Sequence, residues 1–324
     1  MIKTPKFWLK KNLISYALLP FGFLYLLGAF VNNFFTKTYR ISKPVICVGN
    51  LIAGGSGKTP TAIALGKILK EIEPNFAYLS RGYMSDGSQF LLLQKEDNRK
   101  AQEVGDEPML LVEAAPTFVS RNRAFGAKML DENYGVNLVV LDDGMQNNSL
   151  FRDYTILVID AKIAFGNEFP IPAGPMRERL ESGLKKVDLV VVIGELNDYL
   201  RQKLVGKKIV TSHIFPKNLS AFQGKKLLAF CGLAYPQKFF DLLTKSGLNV
   251  VATKSFGDHH KYKISHLEEI CQVAESLGAQ PIATKKDWVK FPRNFQEKIA
   301  HLDIELRFDD ETLLRSELKK LLKC

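Results

Sequence analysis

The sequence has 324 residues, of which 46% are hydrophobic, 10% aromatic and 24% charged. That composition is globular, long enough for two domains, and excludes intrinsic disorder, collagen and low-complexity architecture. The formal net charge of +11 is local: residues 1–70 hold ten Lys or Arg and no Asp or Glu, while the remainder carries 35 basic against 34 acidic side chains. A nucleic-acid surface interleaves its basic residues with aromatics on one exposed face, so nucleic acid is not the partner this charge implies.

The first predicted element is the apolar run Leu13–Val31, with no charged residue between Lys11 and Lys37. Its nineteen residues reach the length of a membrane-spanning helix. Lys3, Lys6, Lys10 and Lys11 would hold the N-terminus in the cytoplasm, and a true span would then export everything that follows. The next motif demands a nucleotide, which favours a helical segment, broken at Pro20 and Gly22, that docks into the cytoplasmic leaflet without crossing it. Lys and Arg on both flanks suit anionic headgroups. A helical hairpin buried in a soluble core is the alternative, and a cleaved signal peptide fits poorly because no small-x-small site follows.

Val45–Val48 is predicted as a buried strand, and Thr61–Leu69 has helical periodicity. Between them lies Gly54-Gly55-Ser56-Gly57-Lys58-Thr59. Glycines let backbone N–H groups converge on phosphate oxygens, and the helix N-terminus adds a positive dipole. Lys58 would reach the β- and γ-phosphates and the Thr59 hydroxyl would ligate Mg²⁺. The first glycine of the usual pattern is replaced by Ile52.

Val104-Gly105-Asp106-Glu107-Pro108 opens a predicted helix, where adjacent carboxylates also suit the dipole and cap. Leu138–Leu141 reads as a central strand that delivers Asp142 and Asp143 at its C-terminal end, where open α/β sheets place their ligands. A nucleotide-bound metal needs such a carboxylate. Further strands are expected at Phe76–Leu79, Gln89–Leu93 beside the Gly87 turn, Thr117–Val119, Ile156–Ile159, Leu189–Ile193 and Ile209–Thr211. Strands alternating with helices over 42–223 imply a doubly wound, parallel α/β sheet of the P-loop NTPase kind. Residues 1–41 form the N-terminal segment, and from Gly224 a second strand–helix series suggests a smaller α/β domain over 224–324 that closes over the site.

Within that second series, Phe256-Gly257-Asp258-His259-His260 offers paired histidines without a third ligand at zinc-binding spacing. A His beside an Asp suits proton handling instead. Thr284-Lys285-Lys286-Asp287 is a near miss of the guanine-reading N-K-x-D, which keeps a membrane-recruited GTPase or metallochaperone-like NTPase as an alternative, alongside a non-catalytic nucleotide switch. Cys47, Cys231, Cys271 and Cys324 lack metal or disulfide spacing and read as reduced thiols.

In order along the chain, these segments resemble the tetraacyldisaccharide 4′-kinases, the lipid A kinases of Gram-negative bacteria. The likeness runs through Trp8 and Pro20, PVICVGNLIAGGSGKTP, Leu79-Ser80-Arg81-Gly82-Tyr83, VGDEP, LDDGMQ, Phe165-Gly166-Asn167 with PAGPMRE, AFCGLAYPQKFF, FGDHHKY and TKKD. The family's loop also lacks the first P-loop glycine. The resemblance implies transfer of the ATP γ-phosphate to the 4′-hydroxyl of a tetraacylated glucosamine disaccharide 1-phosphate at the cytoplasmic face of the inner membrane, with Mg²⁺ and without an obligate protein partner. It places Asp106 as catalytic base with His259 assisting, Lys58 and Thr59 in the loop, and Asp142, Asp143 and Glu178 near Mg²⁺. Arg177 falls beside the nucleotide phosphates and Arg123 in the active-site region. Departures from the family pattern are Met145 for Phe, Asn147 for a titratable His, and Lys285 for Glu at a position expected to face solvent.

Overall fold

The structure, a computed structural model, describes residues 4–82, 90–97 and 99–323. Tyr83, Gly87, Gln89 and Cys324 lie outside the described residues. Eight strands build the first part of the chain: β1 (Val45–Gly49), β2 (Phe76–Ser80), β3 (Leu91–Leu93), β4 (Thr117–Val119), β5 (Leu138–Asp142), β6 (Tyr154–Asp160), β7 (Leu189–Ile193) and β8 (Lys208–Pro216). The second part contributes β9 (Lys226–Cys231), β10 (Asn249–Ser255), β11 (Gln280–Thr284), β12 (Ala300–Leu302) and β13 (Ile304–Phe308).

The large sheet has nine strands in the order β13-β8-β7-β6-β1-β5-β2-β4-β3. It is parallel from β8 to β4, with β3 and β13 antiparallel at its edges. Every residue of β1, β2, β5, β6 and β7 is buried, because helices cover both faces; that is why these strands read as continuous apolar runs and not as alternating ones. Cys47, Val139, Leu141 and Val190 pack on one face. Ile46, Val48, Val140 and Val191 pack on the other, against Leu65, Ile68 and Leu69 of the helix Lys58–Ile72. Strand order reverses at β1, with β5 on one side and β6 on the other. Such a switch point opens a crevice at the strands' C-terminal ends, and the P-loop and Asp142 both emerge there.

The smaller sheet is all parallel, in the order β10-β9-β11-β12. Phe239, Phe240 and Leu243 cover one face and Leu267, Ile270, Phe291 and Phe295 the other. Not all of 224–324 belongs to it. β13 pairs antiparallel with β8, Leu306 opposite Ile214, and the helix Thr312–Lys323 buries Leu314 and Leu318 among Val210 and Leu306 of the large sheet. The chain thus returns to cap β8, which would otherwise present an unpaired edge. The apolar pattern of this segment fits either sheet, so local sequence does not assign it. Leu318→Ala is expected to cost about 2–5 kcal/mol by leaving a cavity, read as a lower midpoint in denaturant unfolding; a change below the error of that measurement would place the helix outside the core.

The N-terminal segment forms two helices, Leu13–Ala17 and Leu19–Phe35. Asn12 caps the first by accepting from Ser15 N at 3.0 Å. The expected break at Pro20 and Gly22 falls at Leu18 instead. Pro20 sits in the first turn, where its missing N–H has no helical partner to lose. Gly22 lies within the helix, where a Cβ would come 2.8 Å from Pro170 Cγ; glycine lets the helix lean on the body there. Its remaining apolar surface is not buried: Phe21, Phe23, Leu24, Leu27, Phe30, Phe34 and Phe35 are all exposed. This rules out the buried hairpin. Among the described residues no helix is long and apolar enough to cross a membrane.

Candidate active site

The loop after β1 carries two left-handed glycines, Gly54 at φ 107° and Gly57 at φ 87°. A side chain at Gly57 would also meet Ile193 Cδ1 at 2.3 Å, whereas one at Gly55 would meet nothing within 4 Å. The loop is therefore supported from behind and open in front, as a phosphate cradle must be. The Ser56 hydroxyl is buried without a hydrogen-bond partner among the described residues. Lys58, itself buried, donates to Asn50 Oδ1 at 3.3 Å and lies 3.6 Å from Asp143 Oδ2. From the second part of the chain, Lys238 donates to Gly55 O at 3.0 Å and pairs with Asp160 at 2.7 Å, so the smaller sheet's first helix grips the loop.

The predicted metal carboxylates separate into different roles. Asp142, opposite Val48 in the sheet, is buried and neither of its oxygens has a hydrogen-bond partner among the described residues. Burial, then the neighbouring charges of Glu107 and Asp143, push its carboxyl well above the usual range. Asp143, at φ 53°, receives Arg177 Nη1 at 2.9 and 3.0 Å. Burial would raise its carboxyl, but Lys58 and Arg177 outweigh that and hold it below the usual range. Glu178 accepts from Gln146 at 3.1 Å and from Lys186 at 2.6 Å. Arg123 is buried and donates to the Asp143 carbonyl. Two of the three carboxylates are thus already matched to cations, and only Asp142 offers unclaimed oxygens.

No group of three or more His, Cys, Asp or Glu that could hold a metal exists among the described residues. The unpartnered oxygens of Asp142 suit Mg²⁺, which keeps waters and is held by one or two carboxylates together with substrate phosphates.

Asp106 begins the helix Asp106–Leu111, which packs against the P-loop helix. It follows Gly105, whose φ of 96° turns the chain inward, and it is buried. His259, also left-handed at φ 53°, reaches it from the loop after β10, anchored by its N–H to Gly232 O at 3.2 Å. Its Nδ1 is 2.9 Å from Asp106 Oδ2, but the aligned hydrogen bond runs to Oδ1 at 3.2 Å. Oδ2 is left buried with no hydrogen-bond partner among the described residues. Burial raises the Asp106 carboxyl, yet Lys286 and the His259 hydrogen bond prevail and hold it well below the ordinary range. The paired His259-His260 does not make a metal site: His260 turns away to His266, 3.1 Å distant.

Residues that sequence reasoning passed over complete the cluster. Lys286 Nζ lies 3.1 Å from His259 Nε2, 3.9 Å from Asp106 and 3.5 Å from Glu107. Lys290 lies 4.0 Å from Asp106. Lys285, expected to face solvent, is half-buried and bridges Glu113 at 2.7 Å and Asp303 at 3.3 Å. Two adjacent lysines look alike in sequence; only the tertiary turn shows which one faces the site. Asp287 does not wait for a guanine: it is fully buried and accepts from Gly232 N, the Thr284 hydroxyl and Lys290, at 2.8, 2.7 and 2.7 Å.

Over nearly its whole length the chain is similar to proteins of one family. The family described as tetraacyldisaccharide-1-P 4′-kinase, LpxK, matches residues 14–323. The tetraacyldisaccharide 4′-kinase of Rhodospirillum rubrum is 35% identical over 99% of this chain and 98% of its own. That of Paramagnetospirillum magneticum is 37% identical over 97% of each chain. Among solved structures, apo-form LpxK from Aquifex aeolicus in complex with ATP superposes with a TM-score of 0.77 at 26% identity, covering 96% of this chain and all of that one.

Proposed function

The chain belongs to the tetraacyldisaccharide-1-P 4′-kinase family, and we propose that it phosphorylates the 4′-hydroxyl of its acylated disaccharide 1-phosphate with Asp106 as the base and the β1 loop as the phosphate cradle. The observation that carries this reading is the ionised, buried Asp106 Oδ2, which has no aligned hydrogen-bond partner among the described residues, on a helix packed against the P-loop helix. A sugar hydroxyl needs an acceptor within hydrogen-bond reach, and phosphoryl transfer otherwise depends on positioning and charge neutralisation.

In the transfer, the 4′-oxygen forms the new bond to the γ-phosphorus as the bond to the β–γ bridging oxygen breaks. The hydroxyl proton passes to Asp106 and ADP leaves. Lys58 and the loop N–H groups offset charge on the β- and γ-oxygens. Arg177, held by Asp143, stands ready beside them. Asp142 and the Thr59 hydroxyl would hold Mg²⁺, which when bound supplies charge neutralisation on the nucleotide phosphates. Purified protein with ATP and a lipid A precursor in detergent is expected to yield the 4′-phosphorylated product; no transfer to that position overturns the reading.

The exposed apolar face of Leu19–Phe35, flanked by Lys6, Lys10, Lys11, Lys37 and Arg40, is read as an in-plane anchor on an anionic membrane surface. It brings the site to a substrate whose acyl chains stay in the bilayer. Each large apolar side chain taken out of water contributes about 1.5–3 kcal/mol. The double variant Leu24→Glu with Leu27→Glu is therefore expected to lower partition onto anionic vesicles by at least tenfold, read by co-sedimentation, while detergent-solubilised activity persists. Equal partition of the variant and the parent would sink the anchor.

A further inference from the structure

The proposed base has a partner, His259, and that partner has one of its own. Lys286 Nζ stands 3.1 Å from His259 Nε2. An ammonium carries three donors and no acceptor. It can only donate, so Nε2 must present a bare lone pair. The ring proton then sits on Nδ1, where it is donated to Asp106 Oδ1 at 3.2 Å. A doubly protonated imidazolium would set an N–H against the ammonium and forfeit the bond. We infer that Lys286 is a positioning residue of this kinase: by donating to His259 Nε2 it locks the imidazole as the neutral Nδ1–H tautomer, so that His259 orients Asp106 and relays no proton.

The alternative role for such a His, as the site where the substrate proton comes to rest, requires one ring nitrogen with a lone pair open to it. Neither nitrogen qualifies, since Nδ1 already holds a proton and Nε2 is occupied. Among the described residues, the charged groups set against the imidazole or its partners include Asp106 and Glu107 from the helix Asp106–Leu111, Lys286 and Lys290 from the second part of the chain, and Asp258 from its own loop, 4.0 Å from Nε2. Lys286 keeps its charge in this setting: burial lowers its affinity for the proton, but Asp106 and Glu107 more than reverse that. The same ammonium, 3.9 Å from Asp106 Oδ2, keeps the carboxylate ionised while the neutral ring fixes its rotation. The substrate hydroxyl is left to the other oxygen.

This inference rests on the reading of Asp106 as base, and its first test does not use activity. Nitrogen NMR of His-labelled full-length protein in detergent is expected to show His259 as the neutral Nδ1–H tautomer between roughly pH 6 and 8, assigned by its loss in His259→Gln. In Lys286→Met the lone pair on Nε2 is released. With that donor gone, the ring is no longer held to one protonation form. Over the same range kcat gains an acid limb that the parent lacks and falls roughly 10- to 100-fold, part of the usual contribution of a positioned base; KM for ATP stays within twofold, on the order of measurement scatter. Lys286→Arg, which keeps the charge and the donors, restores the tautomer and the flat profile. A His259 imidazolium or Nε2–H tautomer in the parent at neutral pH overturns the inference, and so does a Lys286→Met profile that superposes on the parent's. Full activity of Asp106→Ala would instead strike the assignment of the base, and the tautomer would still be read.

Discussion

Asp106→Ala is expected to lose turnover by roughly 10²- to 10⁴-fold, the range that positioned proton transfer contributes, while ATP still binds. Among the described residues the polar contacts of Asp106 are His259, Lys286, Lys290 and the Glu107 backbone N–H, and none of the loop groups. Phosphate binding through Lys58 and the Gly54–Gly57 turn therefore survives, and titration calorimetry with ATP separates the two effects. Alanine also strips four cationic or donor groups of their shared carboxylate, so Asp106→Asn is the cleaner variant. It keeps an oxygen to accept from His259 Nδ1 and removes only the ionised base. If Asp106→Asn or Asp106→Ala keeps full activity, the assignment fails.

The pH dependence carries a sign. Burial alone would raise the Asp106 carboxyl, but Lys286 and His259 hold it below its ordinary value. A carboxylate depressed in the folded state stabilises the protein above its unfolded pKa of about 3.9, and that stability is lost as pH falls toward the folded value. Asp106 is accordingly ionised throughout the neutral range. Asp106→Asn lacks that contribution, so it is expected to be the less stable chain at neutral pH and to converge with the parent as pH drops below about 4.

Much of this site is legible in the sequence wherever a local rule applies. β1, β5 and β7 announce themselves as unbroken apolar runs because both of their faces are covered. The loop is legible because only glycine tolerates the φ of Gly54 and Gly57. The strand end that carries Asp142 follows from the sheet rule. What local rules miss is fixed by partners distant along the chain. Asp143 and Glu178 look equivalent as metal carboxylates until Arg177 and Lys186 are seen to occupy them. Lys286 reads as one more surface lysine until the loop after β10 brings His259 to it. The last strand joins β8 and not the sheet beside it in sequence, since an alternating pattern names a buried face without naming the sheet. The bend at Leu18 moved from Pro20 because proline is tolerated in a first turn.

Asp142→Asn is expected to cost activity and add stability at once. The carboxylate ends β5 buried, with neither oxygen hydrogen-bonded among the described residues. Burial and the nearby charges of Glu107 and Asp143 raise its pKa. An acid whose pKa is raised by folding destabilises the folded state as pH climbs above the unfolded value of about 3.9, because the unfolded chain ionises first. The amide removes that penalty. Measured without nucleotide or added Mg²⁺, the variant should gain on the order of 1–3 kcal/mol at neutral pH, the cost of an uncompensated buried polar group. The gain should shrink toward zero as pH falls below about 4, where the parent's carboxyl is protonated in both states. In the kinase assay the same change removes the carboxylate proposed to hold the cation on the nucleotide phosphates. Turnover should drop by roughly 10²- to 10³-fold, as for other losses of charge stabilisation in a transition state, and excess Mg²⁺ should recover part of it. If the variant is both less stable than the parent at neutral pH and fully active, Asp142 is a structural carboxylate and the Mg²⁺ assignment falls with it.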